Sequence, residues 1–389
     1  MDSTELKQRI VREVDDRRDL LGGISRTLHD NPETAFEEKQ ASAVLTAFLE
    51  ENAFAVEKGI CGLETAFKAM YGSGGPVIAF LAEYDALPGA GHACGHNLIA
   101  TASVAGAVAA RLAADEFGGT IAVFGTPGEE LYGGKAIMAD RGAFNDVDFA
   151  LICHPGGGNI AVMNTLACET LYIEFFGRAA HAAGEPEKGI NALEAMIQSY
   201  NSINSLRQHT RETARIHGII TDGGQAANVV PAYTAGNFIV RAESDDYLEE
   251  LKKKVINCFS GAAKATGARL KYRWGEHYAA MRSNITMAKL FRQNLETVGR
   301  PIRLGENQLL TFSTDVGNVS QLVPAIQPLV SIAPDDVQLH TPEFARAAAS
   351  KEALAALLDA GRAMAMTAAD ILADRDLAGS ILDEFRKSA

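Results

Sequence analysis

The chain has 389 residues, 47% of them hydrophobic and 22% charged, with a formal net charge of -13. That length and balance suit two globular domains. The negative charge excludes nucleic acid and anionic membrane surfaces as partners, since both would repel it, and leaves a small-molecule substrate as the expectation.

The first segment, MDSTELKQRIVREVDDRRDLLGG, is densely charged and lacks the apolar run of a signal peptide. No later stretch reads as a membrane span, so a cytoplasmic protein is expected. The 5 cysteines, Cys61, Cys94, Cys153, Cys168 and Cys258, are an odd and scattered set, which in a reducing compartment reads as thiols or ligands. PVIAFLAEYDALP (76–88), TIAVFGTPGEE (120–130) and DFALICHPGG (148–157) each begin as a short apolar run and end in polar and turn residues. Such runs predict strands buried on both faces, with helices such as NLIATASVAGAVAARLAADEF (97–117) between them. An α/β sheet follows, and in such sheets ligands bind at the carboxyl ends of the strands. Asp85, Glu129, Glu130 and His154 fall there, each just beyond its apolar run.

From about residue 170 the texture changes. ETLYIEFFGRAAHA alternates like a half-exposed strand, INALEAMIQSYNSINSLRQ reads as a helix, and IHGIITDGG with YTAGNFIVRAE reads as a strand pair. A second amphipathic helix, YLEELKKKVINCFSGAAKATG, precedes the strand-like ARLKYRWGEHY. This order predicts a separate α+β domain at 170–282, inserted into an α/β domain formed by 1–169 and 283–389. The last part carries the strand-rich LVPAIQPLVSIA (322–333) and a long Ala-rich helix at 345–373.

Cys94, His96, Glu130, His154 and His340 offer thiolate, imidazole and carboxylate, the donors that zinc and similar ions take. One catalytic zinc needs only three protein ligands plus water, so this inventory suits two neighbouring ions. Adjacent Glu129 and Glu130 make sense if one binds metal and the other moves a proton. Cys153 is expected to turn away into packing, and Cys61, Cys168 and Cys258 to fill core or interface space. His92 reads as a partner of a ligand or a loop residue, His29 as a residue completing the fold, and His209, His217 and His277 as surface or interface residues.

HDNPETAFEE, AEYDALPGAGHACGHN, FGTPGEELYGGKAIM, CHPGG, GRAAHAAGEPEKGINAL, GGQAANVVP, STDVGNVS and HTPEF follow one another along nearly the whole chain. In that order they resemble the dinuclear metallopeptidase and amidohydrolase family of aminoacylase, hippurate hydrolase and the indoleacetyl-amino-acid hydrolases. The GHACGHN and STDVGNVS forms are most similar to its aminobenzoyl-glutamate hydrolase and Xaa-Arg/β-alanyl-lysine dipeptidase subgroup. The resemblance implies a mixed-sheet, zinc-peptidase-like α/β catalytic domain with an inserted ferredoxin-like lid and dimerisation domain, and hence a homodimer.

It also implies roles. Cys94, His96, Glu130, His154 and His340 match metal ligands, and Glu129 matches the general base for attack of water on an amide. Asp85 matches the carboxylate that orients a ligand. His181 matches the histidine that binds the developing oxyanion, Asn228 a polar substrate contact, and Arg241 a group for the substrate carboxylate. Two divalent ions, zinc or manganese, are the implied cofactors, and an N-acyl amino acid or dipeptide the substrate. Asn97 replaces an aspartate of the hippurate and auxin-conjugate branches, and Ser313, Thr314 and Asp315 replace their Glu-Asp-Phe segment, which loosens any transfer of substrate preference.

Two rival functions remain to be weighed. A cysteine hydrolase would use Cys94 as nucleophile and His96 as base, but residues two apart on a tight loop rarely face each other, and Glu130, His154 and His340 would be idle. A non-catalytic binding protein on the same fold would be expected to have lost a donor or Glu129, and neither is lost.

Overall fold

The computed structural model describes residues 3–306 and 308–388 and separates into two compact units. One gathers the chain up to Asn164, Met281–Gln308 and everything from Thr314 onward; the other is Thr165–Ala280 with Leu309–Ser313.

The first unit is built on a 6-stranded sheet in the order Ala55–Lys58, Phe67–Ser73, Gly119–Gly125, Val77–Ala82, Phe149–Leu151, Ala325–Ile326. From Gly119–Gly125 to Ala325–Ile326 the pairings are parallel, and the other two strands join antiparallel. The apolar runs form these strands because both faces are covered. Ile78, Phe80 and Ala82 enter one core with Ile121 and Val123. Ala79 and Leu81 enter the opposite core with Ala122 and Phe124. Removing the fully buried Phe80 ring would cost about 3–5 kcal/mol.

On the first face the helix His96–Phe117 packs against the helix Lys351–Ala373. The crossing is close enough that a Cβ on Gly106 would sit 2.9 Å from the Gly361 carbonyl oxygen. The helix His96–Phe117 corrects one expectation: at 22 residues it is apolar enough on composition to cross a membrane, but its side chains are almost all buried in the core. The Ala-rich helix expected at 345–373 is also two helices, Pro342–Ala348 and Lys351–Ala373. Ser350 breaks the run by accepting the Ala353 N–H, an N-cap that fixes a new start.

The second unit is a 4-stranded antiparallel sheet in the order Arg269–Tyr278, Ala167–Phe176, Tyr233–Ala242, Arg215–Asp222. With the helices Ala192–Leu206 and Asp245–Thr266 the chain order is βαββαβ, the ferredoxin-like arrangement. Ala167–Phe176 alternates buried and half-buried residues, and Leu171, Ile173 and Phe175 meet Phe238, Leu251 and Phe259 in a core of their own. His277, expected at a surface or interface, is half-buried. Its Nε2 lies 2.9 Å from Asp245 Oδ1 and its Nδ1 3.4 Å from Glu169 Oε2, tying the last strand to a helix and to the neighbouring strand.

Candidate metal centre

Three strands deliver the site from their carboxyl ends. Val77–Ala82 runs into Glu83 and Asp85, Gly119–Gly125 into Glu129 and Glu130, and Phe149–Leu151 into His154. The loop GHACGHN closes over them and starts the helix at His96. Gly95 makes that start possible. Its φ is 81°, and a Cβ there would lie 2.6 Å from Pro155 Cγ, so only glycine lets the loop approach the strand that carries His154.

Asp85 is buried and fixes two donors at once. One oxygen lies 3.0 Å from His96 Nδ1, and the other accepts the Glu130 N–H at 3.0 Å. A carboxylate only accepts, so His96 donates from Nδ1 and turns the lone pair of Nε2 toward the other donors. His154 is set the same way, its Nδ1 lying 2.6 Å from the Pro155 carbonyl oxygen. His340 arrives from the far end of the chain with a left-handed φ of 65°, held by its N–H on the Ala93 carbonyl at 2.9 Å. That backbone state costs of order 1 kcal/mol in a residue other than glycine.

The donor atoms converge. Cys94 Sγ lies 3.4 Å from His154 Nε2, His96 Nε2 3.8 Å from Glu130 Oε1, and Glu130 Oε1 3.5 Å from His340 Nε2. Bonds of 2.0–2.3 Å in tetrahedral geometry put ligand atoms roughly 3.3–3.8 Å apart, so these spacings are those of ligands around a common ion. His96 Nε2 and Glu130 Oε1 are buried without a hydrogen-bond partner. Three overlapping sets, Cys94 with His96 and His154, Cys94 with Glu130 and His340, and His96 with Glu129 and Glu130, each lie within 4.8 Å. Such a donor set fits divalent cations and exceeds what one four-coordinate ion takes.

Burial pushes the His154 imidazole down to about 4, so it is neutral, as a ligand must be. Burial, then the Glu130 carboxylate, push the Cys94 thiol well above its ordinary range. That environment opposes the cysteine-nucleophile alternative, which needs a readily formed thiolate. Burial, then Asp315, Glu130 and Glu83, also push Glu129 well above the usual carboxylate range; cations at the neighbouring donors would draw it back.

Several residues of the site were not foreseen. Glu38 accepts the Gly128 N–H and the Thr65 hydroxyl, both at 2.9 Å, and so fixes the turn before Glu129. Burial raises its carboxyl to about 7. Lys135, Glu83 and Asp315 form a wholly buried ion group beside Glu129. The available signal was that Glu83 stands in the motif of Asp85 and His96, and Lys135 in that of Glu129 and Glu130. His92 is buried against Leu28 and His29, burial lowering its pKa to about 3, and His29 holds the Ala345 carbonyl oxygen with Nε2 at 2.9 Å. Cys153 packs in the core.

His181, Asn228 and Arg241 belong to the second unit. His181 pairs with Val229 as an isolated bridge, and the Ala182 N–H reaches the Asn228 carbonyl oxygen at 3.0 Å, so those two residues are neighbours. His181 Nδ1 accepts the Ala183 and Gly184 N–H groups at 3.2 and 3.0 Å, which leaves Nε2 as a donor. Arg241 donates to Ser313 Oγ at 2.7 Å and contacts His217 Nε2 at 3.4 Å.

The profile of the M20 peptidase dimerisation domain matches residues 170–266. The chain is similar to the Xaa-Arg dipeptidase of Mus musculus, with 37% identity covering 98% of this chain and 92% of that one. It is 35% identical to a polypeptide of the p-aminobenzoyl-glutamate hydrolase of Escherichia coli, covering 76% of this chain and 66% of that one. A dinuclear metal-binding peptidase of the M20 family from Bacillus subtilis has the same fold, with a TM-score of 0.72 at 19% identity over 92% of this chain and 99% of that structure.

Proposed function

The chain belongs to the M20 peptidase family, and on that premise we propose how its residues divide the hydrolysis of an amide bond in an N-acyl amino acid or dipeptide. It is a metal-dependent hydrolase of small amides, and the observation that carries this reading is the convergence of Cys94, His96, Glu130, His154 and His340 at ligand spacing. These five residues hold two divalent ions. Zinc or manganese is the metal, since thiolate favours zinc while the carboxylate and imidazoles also suit manganese. When bound, such ions polarise the scissile carbonyl and acidify water.

Glu129 takes the proton from the attacking water and passes it to the leaving amine. Asp85 keeps His96 and Glu130 in register through its two oxygens. His181 presents Nε2–H to the developing oxyanion, and Asn228 makes a polar substrate contact. Arg241 grips the substrate carboxylate. The named activity of the Mus musculus relative supports dipeptides with a basic C-terminal residue as the first substrates to try.

The inserted unit serves as lid and dimerisation element of a homodimer. Its edge strand Arg215–Asp222 exposes Ile219 and Ile220, which supports that use. The odd, scattered cysteine set supports a cytoplasmic setting. The test is release of free amino acid from a panel of N-acyl amino acids and dipeptides, before and after chelator and after metal is restored. Turnover that chelator abolishes and metal restores supports the reading. Turnover that survives chelator and is lost to iodoacetamide would support the Cys94 nucleophile instead.

A further inference from the structure

Lys135, Glu83 and Asp315 have no part in the hydrolytic scheme, yet they lie against it. All three side chains are fully buried. Lys135 Nζ stands 2.8 Å from Glu83 Oε1 and 2.6 Å from Asp315 Oδ1, and the Lys135 N–H donates to the second Asp315 oxygen at 2.8 Å. The second oxygen of Glu83 lies 3.7 Å from His96 Nε2, the nitrogen that faces the donor set. One carboxylate is thus shared between a lysine on one side and a ligand on the other.

Stability does not account for this arrangement. A buried ion pair returns little over apolar residues of similar volume, because both charges must leave water. Burial works against the charge of Lys135, but Asp315, Glu83 and Glu129 outweigh it and keep the ammonium protonated. The cation is therefore held in place by the acids around it, and it in turn fixes where they point.

We propose that Lys135 is a positioning residue that clamps Glu83, so that the charge of the second oxygen of this carboxylate stays beside His96 Nε2 and strengthens the hold on a divalent ion. The proposal rests on the dinuclear reading of the site. Without the clamp Glu83 can turn away from this position, and its charge is lost beside His96. Removal of groups just outside a metal's ligands typically changes metal affinity or activity by about 10–100-fold, which sets the scale expected here.

The test is a double-mutant cycle on the full chain with Lys135→Gln, Glu83→Gln and the double variant. Apoprotein is titrated with zinc or manganese against a chromogenic chelator, and kcat and KM are measured on one cleaved substrate. Each single variant is expected to weaken metal binding about tenfold or more and to lower kcat with little change in KM. The double variant should lose no more than the weaker single variant, because both substitutions break one contact. Lys135→Arg, which keeps the cation, should recover part of the affinity.

Wild-type affinity in Lys135→Gln, or losses that multiply in the double variant, would overturn the proposal. Should Lys135→Gln fail to fold, Glu83→Gln and Lys135→Arg still decide: affinity within twofold of wild type in Glu83→Gln overturns the clamp, and a tenfold loss there with a smaller loss in Lys135→Arg supports it. A wild type that binds no metal would overturn the dinuclear reading itself. Metal binding in the wild type with uncoupled variants would overturn the clamp alone.

Discussion

Asp85 and His96 meet at 3.0 Å through a carboxylate oxygen and Nδ1, wholly inside the protein. The other Asp85 oxygen holds the Glu130 backbone, so one side chain sets the position of two donors that arise from different segments. Asp85→Asn keeps the shape and removes the charge. It is expected to lower metal affinity or kcat about 10–100-fold while leaving the fold intact, as read by chelator competition and circular dichroism. Unchanged affinity and turnover would show that His96 is oriented without it.

Gly95 ties backbone geometry to the same site. Gly95→Ala places a side chain at a φ of 81° and 2.6 Å from Pro155 Cγ, next to His154. Destabilisation of about 1–3 kcal/mol is expected in urea unfolding, together with weaker metal binding because His154 shifts. Full stability with full metal affinity would contradict the packing described here.

His277 gives the second unit a pH dependence. Its hydrogen bonds to Asp245 and then Glu169 raise its pKa from 6.5 to about 9. The folded value exceeds the unfolded one, so its contribution is fully present below about pH 6.5 and is lost as pH rises through 9. The stability difference between wild type and His277→Gln, read from urea midpoints, is therefore expected to shrink between about pH 6.5 and 9.5. A constant difference across that range would mean that the network does not involve the charged imidazole.

Much of the site was legible because strand ends are legible. An apolar run that stops at a polar residue locates Asp85, Glu129, Glu130 and His154, and sheet topology then brings them together. The βαββαβ unit was readable for the same reason, since Ala167–Phe176 and its helices carry clean periods. The burial and ion pairs of Lys135 were not legible, although its motif also carries Glu129 and Glu130. In sequence it is one more lysine at a helix start, ordinarily solvated, and its partners Glu83 and Asp315 are brought to it only by the completed fold. Ser350 was missed because the Ala-rich composition on both sides favours helix throughout, and the break depends on a single capping hydrogen bond. The ion pairs of His277 were not legible because its carboxylate partners come from another strand and a helix.

In the proposed scheme these donors hold two ions whose chemistry Glu129 completes. The most direct measurement is stepwise return of zinc or manganese to chelator-stripped wild type and Glu129→Ala, counting bound metal per chain while following release of amino acid from a cleaved substrate. Two ions per chain are expected in both proteins, with turnover restored in the wild type and reduced about 100-fold or more in the variant. Turnover that persists in stripped protein, or a Glu129→Ala variant that binds two ions and cleaves like wild type, would contradict it.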